Sequence, residues 1–317
     1  MCSFKSMQRI ITKEDLYKLL NSLSKDFQVI GPQELPNKGI FYQGIMNAED
    51  LYLGDGFAIE PIKKFFLNPS EWLFKEKYKE GNNVLEDIPL PKNKRIVIGV
   101  RHCEVRALSL LDKVFDPSTS SGSTLSGVEG VDSEYKDSSY INNRKRTTII
   151  GMSCAQPDKY CFCTSMGGSP VETSGMDAVI FATGGSPESV RGEHNRGRTE
   201  NGFVVEMPTD KGRDIFSSIG KELNESMIKV WGLDKEKRKN LLEKKIKAPE
   251  SLDAVFESDY WSKVSFPCLG CGICTFLCPS CHCFDLVDEE RKRLRCYDGC
   301  AFSDFTLEAS GVNPRPT

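Results

Sequence analysis

One short run of cysteines carries the strongest chemical signal in this sequence. It has the spacing Cys-x2-Cys-x2-Cys-x3-Cys-Pro, and its members are Cys268, Cys271, Cys274 and Cys278. Thiolates two residues apart on a curling chain reach several irons of one cubane, and this spacing is typical of 4Fe-4S ligands. The run therefore predicts an iron–sulfur site near the C-terminal end of the chain.

Two glycines between these cysteines, Gly270 and Gly272, are predicted to contribute to cofactor binding. Without a Cβ they permit unusual dihedral angles and let backbone amides approach the cluster sulfurs. In two-cluster ferredoxins the fourth cysteine ligates the other cluster, so Cys278 need not share iron with the first three. The alternative is structural zinc, whose ligands usually form two Cys-x2-Cys pairs across a longer spacer, so the pattern favours iron–sulfur.

Four more cysteines follow closely, at Cys281, Cys283, Cys296 and Cys300. Eight cysteines between positions 268 and 300 are enough for two 4Fe-4S clusters, but the sequence does not assign four to each. His282 is a candidate imidazole ligand. Hydrogen bonding near a cluster is its favoured role, because coordination by cysteine alone is the commoner pattern.

A second candidate site lies in the first two-thirds of the chain. Cys103 follows the apolar run Arg95–Val100, and Cys154 follows the run Thr147–Met152. Both runs predict buried strands, and ligands of open α/β sheets bind beyond the carboxyl ends of strands. We therefore predict a four-thiolate site formed by Cys103, Cys154, Cys161 and Cys163. The alternative is that Cys103 and Cys154 are small buried apolar residues.

The elements that position these residues follow from apolar periodicity. An α/β N-terminal domain is predicted over 1–215, with a flexible Ser- and Gly-rich insert over 116–145 and a helix capped by Thr12 and Asp15. A second helix is predicted over Glu104–Phe115. The predicted strands are Gly39–Ile45, Phe65–Phe74, Arg95–Val100, Thr147–Met152, Ala178–Ala182 and Phe203–Glu206.

Two further segments complete the predicted organisation. A helical connector spans 216–262, and a small cysteine-rich, α-helical ferredoxin-like iron–sulfur domain spans 263–317. The charged run Asp234–Lys247 interleaves acids with lysines, which favours a solvated helix face over a nucleic-acid patch. The polar stretch Arg191–Gly202, with His194, is predicted to be an exposed loop.

Composition excludes several classes of protein. The net charge of −3 gives no electrostatic footprint for nucleic acid, and the most apolar runs are too short to cross a bilayer. The N-terminal end lacks the apolar core of a secretory signal, so a cytoplasmic location is expected. Thirteen cysteines in a reducing compartment indicate metal or redox chemistry rather than disulfides. No dinucleotide fingerprint, P-loop or hydrolase motif is present, and no residue demands a flavin site.

Several motifs also occur together in a fixed order. They are Gly99–Ala107 (GVRHCEVRA), Cys154 with Cys161–Gly168 (CFCTSMGG), Cys268–Cys274 (CLGCGIC), Cys278–Phe284 (CPSCHCF), Tyr297–Cys300 (YDGC) and Asn313–Arg315 (NPR). In this combination, the chain resembles the iron–sulfur beta subunit of cytoplasmic sulfhydrogenases and the corresponding iron–sulfur subunit of anaerobic sulfite reductase.

The resemblance implies an electron-transfer subunit with 4Fe-4S clusters. Such a subunit passes electrons between a flavoprotein partner that handles NAD(P)H and a catalytic hydrogenase or sulfite reductase subunit. Catalysis would then belong to another chain. The alternative function is a non-redox interaction module whose cysteines hold zinc as a structural staple.

The chain departs from this family at three points. His102 stands where members usually have proline, and members usually lack the Asp116–Gly130 insert. The family continues past Asn-Pro-Arg to a second cysteine run, whereas this sequence ends at Thr317. The expectation is a truncated chain with an incomplete ferredoxin-like domain. The alternative is that Cys281, Cys283, Cys296 or Cys300 supplies the missing thiolate.

Overall fold

The computed structural model describes residues 7–313, except for 117–135, 184–201 and positions 243, 248 and 250. The described residues form two compact units. The first combines those of Met1–Ile62 and Lys92–Ile246, and the second combines those of Lys63–Pro91 and Lys247–Thr317. Residues 63–91, which the sequence placed in the first domain, thus group with the cysteine-rich end. The domain division predicted at residues 215 and 262 stays a prediction.

The described strands and helices are as follows. The strands are β1 (Met7–Ile11), β2 (Gln28–Leu35), β3 (Gly39–Gly44), β4 (Ser70–Lys79), β5 (Asn82–Asp87), β6 (Arg95–Val100), β7 (Thr147–Met152), β8 (Ala178–Ala182), β9 (Phe203–Met207), β10 (Lys221–Glu222), β11 (Phe284–Glu289) and β12 (Lys292–Tyr297). The α-helices are α1 (Lys13–Leu23), α2 (His102–Phe115), α3 (Ser138–Arg146), α4 (Asp210–Phe216), α5 (Glu225–Lys239), α6 (Tyr260–Ser265) and α7 (Ile273–Leu277). None of these helices is long and apolar enough to cross a membrane.

An eight-stranded sheet forms the centre of the first unit, in the order β10-β1-β9-β8-β7-β6-β2-β3. Its middle strands β2, β6, β7 and β8 run parallel. Every residue of β6 and β7 is buried, as expected for parallel strands covered on both faces. Leu16 and Leu20 of α1 belong to the same buried cluster as Ile98 of β6 and Ile150 of β7.

Most of the elements predicted for this unit are present, which confirms its mixed α/β character. The predicted strands at 39–45, 95–100, 147–152, 178–182 and 203–206 correspond to β3, β6, β7, β8 and β9. The strand predicted at Phe65–Phe74 is wrong in its first half, because Ile62–Phe65 is a 3-10 helix and β4 begins at Ser70. The prediction also missed β1, β2 and β10 of this unit.

The segment predicted as a flexible insert contains a helix. Residues 117–135 lie outside the described part of the chain, as do 191–201 of the predicted polar loop, with His194. The end of the insert forms α3, where the Asp137 side chain accepts a hydrogen bond from the Tyr140 amide. Tyr140 is fully buried and its hydroxyl donates to Asp112 at 2.8 Å. These contacts correct the prediction for 138–145.

The second unit contains a four-stranded antiparallel sheet in the order β11-β12-β4-β5. Its β11–β12 hairpin turns at Glu290 and Arg291, which both have positive φ, as a tight two-residue hairpin turn requires. A buried ion pair between Arg295 and Glu71 joins β12 to β4. The α-helical character predicted for the cysteine-rich domain is not confirmed, because α6 and α7 are short and this sheet accompanies them.

We predict that Thr12→Ala lowers the free energy of unfolding of the first unit by about 1 kcal/mol. The Thr12 hydroxyl accepts from the Asp15 amide at 3.0 Å, and the Asp15 carboxylate accepts from the Thr12 amide at 3.0 Å. These hydrogen bonds lower the pKa of Asp15. The carboxylate therefore stabilises the fold at neutral pH, and its contribution is lost as the pH falls through the folded-state pKa.

Urea denaturation at pH 7 and at pH 3 checks this prediction. Thr12→Ser keeps an oxygen acceptor and serves as the control. An equal loss in the two variants, or a loss for Thr12→Ala that does not shrink at the lower pH, would contradict the role of the capping box.

Candidate metal centres

The ferredoxin-type cysteine loop of the second unit bends at its glycines. Gly270 and Gly272 have φ of +65° and +71°, which non-glycine residues rarely adopt. A Cβ on Gly272 would lie 2.2 Å from Cζ of Phe302, so this position is also closed by packing. The Gly270 amide donates to Sγ of Cys268 at 3.5 Å. The loop thus directs one backbone amide at the sulfur of a predicted ligand, and the contribution of the two glycines to cofactor binding stays a prediction.

Helix α7 and the turn after it hold the next cysteines. Cys274 lies in α7, and its carbonyl accepts from the Cys278 amide at 2.9 Å. Burial acts to raise the pKa of the Cys278 thiol, but hydrogen bonds from Ser280 and Cys281 outweigh it and leave that pKa below its usual value. Burial and the neighbouring Cys278 charge raise the pKa of Cys281 to about 11. The two thiols of one turn therefore differ in acidity.

A buried lysine from a distant part of the chain reaches this turn. Lys63 is only 1% exposed, and its Nζ donates to the carbonyl oxygens of Thr275 at 2.6 Å and Cys281 at 3.1 Å. It also lies over the Tyr297 ring, 4.5 Å from the centroid. Burial lowers the pKa of Lys63, while the charges of Cys281 and Cys278 oppose that change. Lys63 thus joins α7 to the Cys278–Cys281 turn.

The remaining cysteines of this unit lie on or beside the β11–β12 hairpin. The Cys283 carbonyl accepts from the Asp298 amide at 3.2 Å, and Cys296 faces Ser70 across the β12–β4 pairing. Cys300 and Cys283 are exposed. Nδ1 of His282 lies 3.0 Å from the Ser280 carbonyl, which matches the hydrogen-bonding role favoured by the sequence more closely than ligation.

In the first unit, two cysteines follow adjacent parallel strands, as predicted. Strands β6 and β7 pair directly, Cys103 lies in the first turn of α2 after β6, and Cys154 follows β7. The Cys154 amide donates to the Pro170 carbonyl at 3.3 Å. Cys163 begins a short 3-10 helix that Gly167 ends with φ of +72°.

The four thiols of this unit interact electrostatically. Surrounding protein atoms, together with Glu104 and the other three cysteines, raise the pKa of the Cys103 thiol to about 12, although the residue is partly exposed. Burial also raises the pKa values of Cys154, Cys161 and Cys163, and charges on neighbouring cysteines add to this for Cys154 and Cys163. The predicted ligands therefore share one region of the first unit.

A buried arginine accompanies these thiols. The Arg101 guanidinium donates to the carbonyl oxygens of Met152, Ser153, Gly54 and Gly56 at 2.6–3.3 Å. Its charge acts to lower the pKa values of Cys154 and Cys161. Arg101 is also the N-cap of α2, where its amide donates to the Glu104 carboxylate at 3.3 Å. The cation is thus fixed between the end of β6, which it follows directly, and the end of β7.

The chemistry of these donors fits iron–sulfur clusters. Soft thiolates are the ligands that such clusters take, left-handed glycines separate three of them, and a buried cation lies beside each cysteine group. Among the described residues, no three His, Cys, Asp or Glu side chains are already close enough to hold a metal ion. Which cysteines bind which cluster therefore stays a prediction in both units.

Sequence analysis missed both cations. Arg101 lies inside the motif GVRHCEVRA but received no role of its own. Lys63 is separated from Thr275 by 212 residues, so no local motif connects the two. Two adjacent lysines, Lys63 and Lys64, follow Ile62, and nothing in the sequence marks Lys63 as the buried one.

We predict that Gly272→Ala reduces the iron that the second unit binds. The substitution combines a strained positive φ with a Cβ only 2.2 Å from the Phe302 ring, so the cysteine loop must shift. Iron and sulfide per chain after anaerobic reconstitution measure the effect. Gly311→Ala is the matched control, because Gly311 has φ of +81° but nothing within 4 Å of its Cβ position. Equal iron in both variants would contradict a loop shape specific to the cofactor.

In metal-free protein at pH 8, we expect iodoacetamide to label Cys278 faster than Cys281, because the lower pKa gives Cys278 the larger thiolate fraction. Ser280→Ala should slow the labelling of Cys278, since the side chain of Ser280 lies 3.3 Å from its sulfur. Ser310→Ala is the control. Fragment mass spectra of the peptide distinguish the two sites, and the reverse order of labelling would contradict the assignment.

Comparison with known proteins supports the cofactor and the family. Residues 267–317 match a family model of the 4Fe-4S dicluster domain. The chain is 28% identical to sulfhydrogenase 2 subunit beta of Pyrococcus furiosus over 311 residues, which cover 95% of this chain and 81% of the relative. No solved structure matches. The prediction of 4Fe-4S clusters is thus confirmed, and so is the predicted resemblance to the iron–sulfur beta subunits of sulfhydrogenases.

Proposed function

We propose that this chain is an electron-transfer subunit of a hydrogenase or sulfite reductase complex. It accepts electrons from a flavoprotein partner that oxidises NAD(P)H and delivers them to a catalytic subunit. The observation that carries the proposal is the cysteine loop 268–278, with its left-handed glycines and an amide directed at a thiol sulfur. The likeness to a sulfhydrogenase beta subunit over 95% of the chain supports it.

The cysteines and glycines of this chain have distinct roles in the proposed cluster sites. A bound 4Fe-4S cluster supplies a site that takes up and releases one electron at a time. Around it, the thiolates hold the irons, and Gly270 and Gly272 let the backbone approach the sulfurs. The proposed ligands in the second unit are Cys268, Cys271, Cys274, Cys278, Cys281, Cys283 and Cys300, and those in the first unit are Cys103, Cys154, Cys161 and Cys163.

The surroundings of the loop suit a relay that exchanges electrons with another protein. Cys268, Cys271 and Cys274 are exposed, so a cluster held there lies near the surface. Leu269 and Phe266 are 92% and 91% exposed beside them. We propose that these exposed apolar side chains contribute to a contact site for another protein. In our proposal, a partner subunit covers Leu269 and Phe266 and brings its own redox centre close to the cysteine loop.

A reducing compartment also fits the chain. The twelve described cysteines are all free thiols, which persist where disulfides do not form. We propose a cytoplasmic site of action on this basis. The terminal acceptor, whether protons, polysulfide or sulfite, would be set by the catalytic partner.

Metal analysis of anaerobically purified and reconstituted protein tests the proposal. We expect about four irons and four sulfides for each cluster, and an electron paramagnetic resonance signal after dithionite reduction. The flavoprotein partner with NADPH should produce the same reduced signal. Zinc without sulfide would instead favour a non-redox interaction module with structural zinc, and it would overturn the proposed electron-transfer function.

The double variant Cys103→Ser/Cys154→Ser separates the two candidate sites. We expect it to lose about four irons and four sulfides per chain while the signal from the second unit remains. Cys2→Ser is the control, because Cys2 belongs to no predicted ligand set. Unchanged iron in the double variant would mean that Cys103 and Cys154 are not cluster ligands.

A further inference from the structure

The environment of Lys63 is unusual for a lysine. Its side chain is 1% exposed, and its Nζ donates to two backbone carbonyls while lying against the Tyr297 ring. Within the described part of the chain, no carboxylate forms an ion pair with it. Tyr297 is itself fixed, because its hydroxyl donates to the Leu67 carbonyl. The lysine is therefore held in one position by the fold of the second unit.

A buried ammonium group without an opposite charge is costly. Carbonyl oxygens satisfy its hydrogen bonds but carry no net charge, so they offset only part of the lost hydration. The groups whose charge would offset that of Lys63 are Cys281 and Cys278 in the thiolate form that cluster ligands take, because a charge on either of them raises the pKa of Lys63. The burial of Lys63 is thus balanced when these thiolates, and the anionic cluster that they ligate, are in place.

Its two hydrogen bonds also define the shape of the cysteine turn. Thr275 lies in α7, and Cys281 lies three residues after Cys278. Because Nζ contacts the carbonyl oxygens of both, it fixes the separation of the two segments on either side of Cys278 and Pro279. Thr275 is itself 4% exposed, and its side chain occupies the space that a Cβ on Gly299 would need. The lysine therefore connects the two segments between which the chain, at Cys278, turns away from helix α7.

We propose that Lys63 is a positioning residue of the iron–sulfur site, and that its buried positive charge raises the reduction potential of the cluster bound at the Cys278–Cys281 turn. The inference rests on the proposed function, because it assumes that this turn ligates a cluster. The physical reason is electrostatic. A reduced cluster carries one more negative charge than the oxidised cluster, so a fixed cation nearby stabilises the reduced state more.

The test compares reconstituted full-length variants by redox titration, followed by electron paramagnetic resonance. Lys63→Met removes the charge at similar volume, Lys63→Gln removes the charge but keeps a donor, and Lys63→Arg keeps the charge. Lys77→Met is the matched control, because Lys77 is an exposed lysine of β4 in the same unit, paired with Glu86 at 2.8 Å. Iron and sulfide are measured on each sample.

We expect the two neutral variants to have at least a tenfold lower ratio of reduced to oxidised cluster at a fixed applied potential. This corresponds to a shift of about 59 mV for a one-electron couple. Lys63→Arg, which keeps the charge, should have a potential close to that of the unmodified chain, and Lys77→Met should match the unmodified chain. A neutral variant that holds its iron and keeps the original potential overturns the proposal.

Loss of iron is also informative. If both neutral variants fail to hold a cluster while Lys63→Arg holds one, the requirement for the charge is supported. If all three substitutions abolish iron binding, the lysine is needed for its shape and the proposal is overturned. Failure of the unmodified chain to bind iron and sulfide is a separate outcome, because it removes the proposed function itself.

Discussion

The pairing of β12 with β4 is the constraint on which the second unit depends. It joins residues 70–75 to residues 292–296, and the buried ion pair between Arg295 and Glu71 reinforces it. Through this pairing, the segment that begins at Lys63 becomes part of the cysteine-rich unit. Without it, neither the lysine nor the Tyr297 ring would be fixed beside the turn that follows α7.

Each cysteine group lies beside a buried cation with backbone carbonyls as its hydrogen-bond acceptors, Arg101 in the first unit and Lys63 in the second. The ferredoxin-type spacing of the cysteines determines only which thiols can reach the irons of a cluster. The charge proposed to act from Lys63 concerns a different quantity, the free-energy difference between two charge states of the same site. A relay needs both, because electrons move in one direction only when the potentials along the path are ordered.

The distribution of apolar residues along the sequence was enough to predict the strands that are buried on both faces. Strands β6 and β7 are continuous apolar runs buried on both faces, so their positions, and those of the cysteines after them, followed from the sequence. Strand β11 is exposed along its whole length and rich in acids, so nothing in its apolar pattern marked it as a strand. The contacts of Lys63 are tertiary and with backbone atoms, which leave no trace in side-chain spacing.

The discontinuous second unit also has a consequence for synthesis. Lys63 and Thr275 are 212 residues apart, and at 5–20 residues per second the ribosome needs roughly 10–40 s to make that length. During this interval β4 has only β5 as a neighbour, and its other edge presents unpaired backbone groups. The nascent chain therefore passes through a stage in which this edge is unpaired, and the second unit can complete its sheet only after residues 292–297 have been made.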